Sequence, residues 1–391
     1  MPCCQHCVNS TGVAQSGHEP ERARRQLPWR PVDRLGLVGL PNSGKSALFN
    51  ALTGGDALVA AHPFSTTDTE IGVAHVPDPR LDALAVMSES RKVVPATFEV
   101  VDIAGVQKSG EHGGDALGTK FIAGIREVDA LAFVLRNFED ESAPGDTDPA
   151  EALEVLELEL VLVDAATLET QIAKKRRPLA PVDPVLQAAL QAAPAALEHL
   201  HAGTPIHRSS LRAEEREALR PLFLLTNKPV LAVVNIGEET LGESEQIVEQ
   251  IHRDLGGKAE VLAVSVQLEA EAAKLDAAER LELLEGLGLG EGALVRVARA
   301  AYAILGRDTF LTTGDKESRA WTFRRGAKAP ECAGVIHSDL QRGFIKADVI
   351  EWQELLGAGS FAAARAKGKV RLEGKDYVVK DGDVLEIRFN V

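Results

Sequence analysis

The chain has 391 residues, 45% of them hydrophobic and 26% charged, with 43 Lys and Arg against 58 Asp and Glu and a formal net charge of −15. This is a globular composition with room for two or three domains; the acidic balance excludes bulk coating of nucleic acid, and no apolar run approaches the ~18 residues of a membrane span. The charge is uneven, since Thr309 to Val391 holds 14 Lys and Arg against 12 Asp and Glu, so only this end suits a polyanion.

Met1 to Asp33 is polar, carries Pro28 and Pro31, and lacks the apolar core of a signal peptide. It reads as a flexible extension. The four cysteines are Cys3, Cys4, Cys7 and the distant Cys332, a sparse set that fits a reducing cytoplasm. The Cys3 to Cys7 cluster lacks the second ligand pair that a zinc site needs.

From Arg34 the pattern is orderly. The apolar run Leu35 to Gly39 leads into Gly39-Leu40-Pro41-Asn42-Ser43-Gly44-Lys45-Ser46 and then the helix-forming stretch that starts at Ala47. A strand, a Gly-rich turn and a helix N-terminus point successive backbone N–H groups at phosphate oxygens. Asn42, Ser43, Gly44, Lys45, Ser46 and Ala47 are therefore the expected phosphate-binding residues, with Lys45 reaching the β- and γ-phosphates and the Ser46 hydroxyl taking a Mg²⁺ position. Beyond it, His62 to Thr67 is a polar segment before a second strand, Ile71 to Val76. Thr66 or Thr67 could meet Mg²⁺ and the γ-phosphate as the threonine of a first switch loop.

Thr97 to Gly105 reads as a buried strand ending in D-x-x-G. Asp102 would hold Mg²⁺ through water and the Gly105 N–H would sense the γ-phosphate. Ras-like enzymes place a water-orienting glutamine next, and this chain has Val106, so hydrolysis should be slow or use another group; Gln107, Glu111 and His112 lie nearby. After the strand Leu131 to Leu135, the stretch Pro149 to Arg177 has a helical period. Leu153, Leu156, Leu160 and Val163 form an apolar stripe, expected to be the seam against a second helix from Val185 to about Leu200, joined through a proline-rich tip.

Thr226-Asn227-Lys228-Pro229 imitates a base-recognition N-K-x-D but precedes its strand. The site itself should be Asn235-Ile236-Gly237-Glu238, after Val230 to Val234. A glutamate in place of aspartate misplaces the bidentate contact to guanine and the stacking lysine is an isoleucine, so guanine specificity should be lost. Adenine could be met by backbone groups near Asn235 and Ile236. A strand from Glu260 to Ser265 and helices from Leu275 to Leu287 and Glu291 to Leu305 should complete a parallel sheet covered on both faces.

These residues carry a resemblance. Gly39 to Ser46, His62-Pro63-Phe64-Ser65-Thr66, Val76 to Asp82 and Asp102-Ile103-Ala104-Gly105, with Arg319 to Thr322, Gly334 to Asp339, Gly343 to Ala347 and Leu372 to Val391, resemble the YchF subfamily of Obg-like ATPases over Arg34 to Val391. The resemblance implies an α/β fold: a doubly wound P-loop NTPase sheet with an inserted α-helical hairpin and a C-terminal β-grasp (TGS) domain. The corresponding boundaries are 1–33 for the extension, 34–140 and 222–307 for the two parts of the nucleotide domain, 141–221 for the hairpin and 308–391 for the TGS domain.

Also implied are ATP with Mg²⁺ rather than GTP, read at Asn235, Ile236 and Glu238, and a slow ATPase switch that meets the ribosome or ribosomal RNA through the TGS domain and hairpin in the cytoplasm, with no membrane or DNA partner. Lys45, Thr66 (in preference to Thr67) and Gly105 would be the catalytic residues, Ser46, Thr66 and Asp102 the metal ligands, and Asn42 a ligand for K⁺. A GTPase of the wider Obg group and a nucleotide-dependent binding module with negligible hydrolysis are the alternatives. The chain departs from the family pattern after Gly105, where it is one residue longer, in lacking a histidine in Glu141 to Pro149, and in Ser265-Val266-Gln267 where Ser-Ala-Lys is usual. The cations Arg324, Arg325, Lys328 and those from Arg365 to Lys375 are candidate phosphate contacts.

Overall fold

A computed structural model describes residues 33–54, 70–103, 118–140, 145–175, 183–287 and 289–390. Its first sheet holds β1 (Arg34–Val38), β2 (Glu70–Val76), β4 (Ala96–Asp102), β5 (Ala130–Asn137), β6 (Val230–Ile236) and β7 (Glu260–Val264) in the order β2-β4-β1-β5-β6-β7, and β3 (Val93–Val94) lies outside it. The apolar runs bury both faces. Along β6, Leu231 and Val233 enter one core with the helices Lys45–Thr53 and Ala293–Ile304, while Val230, Ala232, Val234 and Ile236 enter a second with the helices Thr119–Glu127 and Ser244–Asp254. A strand buried on both faces is continuously apolar rather than alternating.

The parallel-sheet expectation needs one correction: β2 pairs antiparallel with β4, and the other pairs are parallel. The helix Pro79–Met87 between them does not cross the sheet, because Leu81 and Leu84 pack with Ala320 and Leu355 of the C-terminal region. Without a crossover, the chain returns beside itself in the opposite direction.

The inserted hairpin pairs the helices Pro149–Lys175 and Pro184–His201. The second starts with Pro184 after Asp183, whose carboxylate accepts the Val185 N–H at 2.8 Å, a proline and cap suited to a helix start. The apolar stripe on the first helix is not the seam expected of it. Leu153, Leu156 and Leu160 pack on the nucleotide sheet, and Val161 and Leu168 face Ala189, Ala193, Ala196 and Leu200 of the second helix. The first half of a helix this long lies on the sheet before it leaves it, so its main stripe serves that core.

The root of the hairpin is polar and buried. Glu157 accepts from His207 Nε2 at 2.8 Å and pairs with Arg208 at 3.0 Å. Asp164, its carboxyl pushed up by burial against the opposing pull of Thr226 and Leu225, accepts the Leu225 N–H at 2.9 Å, and the Thr226 N–H and hydroxyl at 2.8 and 2.7 Å. The N-K-x-D look-alike thus has a structural role, and Lys228 Nζ donates to the Val128 carbonyl.

The C-terminal sheet comprises β8 (Arg307–Thr312), β9 (Ser318–Arg324), β10 (Phe344–Glu351), β11 (Arg371–Glu373) and β12 (Asp383–Phe389) in the order β11-β10-β12-β8-β9, with the helix Ala329–Ile336 packed on it, as in a β-grasp domain. Cys332 is buried in its core, where burial pushes the thiol up to about 12. The sheet has a sixth strand from the nucleotide half: β3 pairs with β9, Val93 beside Ser318. Arg80 closes the same joint, donating to Asp78 at 2.8 Å and to Asp381 at 2.6 Å, close over Gly382. Arg80 and Asp381 are partly exposed but the Asp78 side chain is nearly buried, so Arg80→Ala should cost about 1–3 kcal/mol, read as a fall of several degrees in melting temperature with ATP affinity unchanged.

Candidate functional site

The site is built at the carboxyl ends of β1, β4, β5 and β6, where a doubly wound sheet presents its ligands. β1 enters the phosphate loop at Gly39, which must be glycine: an added Cβ would lie 2.5 Å from the Val134 carbonyl and 2.7 Å from Ser43 Oγ. Asn42 and Gly44 take φ of 61° and 89°. At Gly44 a Cβ would also overlap the Asn235 amide nitrogen. The helix that follows has no side-chain cap at Gly44, so its first N–H groups are left for an anion.

Lys45 is buried, and its Nζ donates to the carbonyls of Gly39 and Leu40, both at 3.0 Å. Burial lowers its pKa, and the charge of Asp102 opposes this. The Ser46 hydroxyl donates to Asp102 Oδ2 at 2.7 Å, because Leu37 on β1 and Asp102 on β4 are paired in register. Two oxygens that sequence reasoning assigned to one cation are therefore neighbours across 56 residues. This hydroxyl and carboxylate are the hard oxygen donors that Mg²⁺ takes, with the remaining positions left to water and phosphate. Among the described residues no group of three or more His, Cys, Asp or Glu side chains could hold a metal. Ser43 is buried with its hydroxyl unpaired, and Ala47 is exposed on the first helical turn. Thr66, Thr67, Gly105, Val106, Gln107, Glu111, His112 and the cysteines 3, 4 and 7 lie outside the described residues.

Asn235 is 5% exposed and both ends of its amide are engaged. Nδ2 donates to the Ser43 carbonyl at 3.2 Å, and Oδ1 accepts the Val266 N–H at 3.2 Å. It ties the phosphate loop to the turn after β7. Ile236 is 3% exposed in the second core, so its side chain is not available to a base. Glu238 is exposed on the turn that follows.

Sequence reasoning missed Arg136, the last cation of β5. It is 4% exposed, and its Nη1 donates to the Asn42 carbonyl at 3.5 Å. The available signal was a single arginine at the carboxyl end of an otherwise apolar strand.

On the C-terminal sheet several of the expected phosphate contacts are spent within the domain. Arg325 pairs with Asp308, Lys328 with Asp376, Arg365 with Asp348, and Arg371 with Asp383. Arg324, Lys367, Lys369 and Lys375 are exposed. No helix of the described residues is long and apolar enough to cross a membrane.

Comparison with known proteins places this geometry. Residues 34–177 match a family described as 50S ribosome-binding GTPase, and residues 308–390 match YchF-GTPase_C, described as a protein of unknown function (DUF933). The chain is 41% identical to the ribosome-binding ATPase YchF of Bacillus subtilis, over 91% of this chain and 99% of the relative. It is 40% identical to that of Haemophilus influenzae, over 92% and 99%. The solved structure of the Schizosaccharomyces pombe YchF GTPase superposes with a TM-score of 0.78 at 30% identity, covering 92% of this chain and 98% of that one.

Proposed function

The chain belongs to the YchF family, and on that premise we propose that it is a slow, Mg²⁺-dependent ATPase whose nucleotide state controls its association with the ribosome. The observation that carries the adenine reading is at the end of β6: the side chain in the lysine position, Ile236, is turned into the core, and the carboxylate two residues on belongs to an exposed glutamate. The stacking lysine is missing and a glutamate, one methylene longer, would misplace the two-hydrogen-bond reading of guanine; a site that does not satisfy a base's polar edge discriminates against it.

The chain's own groups define the chemistry. The N–H groups from Asn42 to Ala47 take the phosphate oxygens of ATP. Lys45 exchanges the carbonyls of Gly39 and Leu40 for the β- and γ-phosphates. Ser46 and Asp102 would hold Mg²⁺, with Thr66 completing the set, and the ion when bound neutralises charge on the β- and γ-oxygens. Thr66 and Gly105 would report whether the γ-phosphate is present. By resemblance, Asn42 would offer a K⁺ ligand. Val106 cannot orient water, which is why hydrolysis should be slow.

We assign 34–140 and 222–307 to the nucleotide domain, 141–221 to the hairpin and 308–391 to the TGS domain. The hairpin and the exposed lysines of the TGS domain would meet the ribosome or its RNA in the cytoplasm, with an affinity that falls steeply with salt.

Calorimetry with Mg²⁺ tests the base reading. ATP should bind at least tenfold more tightly than GTP, a difference of about 1.4 kcal/mol. A preference for GTP overturns it and places the chain with the GTPases of the wider Obg group. Co-sedimentation with 70S ribosomes in the presence of ATP and of ADP tests the association, and equal binding in both would remove the switch.

A further inference from the structure

Arg136 stands at the carboxyl end of β5, in register with Asn235 on β6. Its guanidinium is held on several sides. Nε donates to the Phe138 carbonyl at 3.0 Å, the group lies over the Phe138 ring at 4.6 Å, and the chain passes at Gly145 so closely that a Cβ there would sit 3.2 Å from Nη1. So fixed, Nη1 reaches the Asn42 carbonyl at 3.5 Å. The two strand ends thus touch successive carbonyls of the phosphate loop, Arg136 that of Asn42 and Asn235 that of Ser43. Asn42 is in the left-handed region, which a residue with a Cβ occupies only at a cost. Ile236, buried in the lysine position of the base motif, supplies no cation.

We infer that Arg136 is a positioning residue for the phosphate loop. It holds the Asn42 carbonyl from behind and keeps the N–H groups of the loop crown directed at the β- and γ-phosphates. It acts through the loop and does not touch the nucleotide. The inference rests on the reading of this loop as a purine triphosphate site, but not on which purine it takes.

The test is calorimetry on the full chain with Mg²⁺, comparing wild type with Arg136→Ala, Arg136→Lys and Arg136→Met, and titrating ATP, GTP and AMP. Loss of this contact, long for a hydrogen bond at 3.5 Å, should weaken ATP and GTP by the same factor, about threefold to tenfold. Lysine should restore part of this. AMP should change less than twofold, because it carries neither the β- nor the γ-phosphate that the crown is inferred to hold. Unchanged triphosphate affinity in Arg136→Ala, or a parallel loss of AMP affinity as from general loosening, overturns the inference. Arg136→Met keeps the aliphatic stem over Phe138 and gives the same comparison if the alanine variant does not fold. A wild type that prefers GTP would sink the adenine reading alone, and the Arg136 comparison then proceeds with GTP.

Discussion

Lys45→Met should lower ATP affinity and ATP turnover at least a hundredfold, about 3 kcal/mol, while leaving the melting temperature of the nucleotide-free chain unchanged or slightly raised. The two halves of this expectation have different causes. Without nucleotide, the ammonium group is buried against the carbonyls of Gly39 and Leu40, and burial already depresses its pKa. Folding therefore opposes this charge, and a methionine of similar length removes the cost of desolvating it, which offsets the donor lost by the Gly39 carbonyl. With nucleotide, the same charge is expected to leave these carbonyls for the β- and γ-phosphates. Thermal melts with and without ATP, beside a phosphate-release assay, read both effects at once. A drop in the melting temperature of the nucleotide-free chain would mean that Lys45 is structural, and a preserved ATP-induced shift would mean that the loop binds phosphate without it.

The second large effect is expected at Asn235. Asn235→Ala leaves the Ser43 carbonyl and the Val266 N–H buried and unpaired, each costing about 1–3 kcal/mol, so stability should fall by about 2–4 kcal/mol. ATP and GTP should weaken together by at least tenfold, because the loss is in the shape of the phosphate loop and not in the reading of the base. Chemical denaturation and calorimetry on the same variant measure the two parts. A loss confined to ATP would show that the amide contacts adenine directly. The structure also changes how base choice is best probed. Ile236→Lys, attractive from the motif alone, would put an ammonium group in place of a side chain that is 3% exposed in an apolar cluster, and would damage the core before it altered specificity. Glu238→Asp is the cleaner substitution, since Glu238 is exposed.

Much of the site was legible because its motifs are local. A phosphate loop is a strand, a turn and a helix start within about a dozen residues, so Gly39, Gly44, Lys45 and Ser46 define their own geometry, and D-x-x-G does the same for Asp102 at the end of β4. Each motif assigns its residue, Ser46 or Asp102, to one cation, and the two side chains are 2.7 Å apart. The switch residues Thr66 and Gly105 rest on motif and resemblance alone.

What the amino-acid sequence determined by itself was therefore the class of fold and the presence of a phosphate loop, and it supplied the proposed departure from guanine recognition, since each depends on residue types at short spacing. Tertiary structure decided what depends on contacts between distant positions. It turned the leucine stripe of the first hairpin helix onto the nucleotide sheet, since which face of an amphipathic helix finds which core is set by packing and not by period. It gave β3 to the C-terminal sheet, because a two-residue strand has too little pattern to announce its partner. It spent the Asn235 amide on Ser43 and Val266 and brought Arg136 to Asn42 across 94 residues. Hydrogen bonds of this kind follow from strand order and register, and a motif read along the chain contains neither.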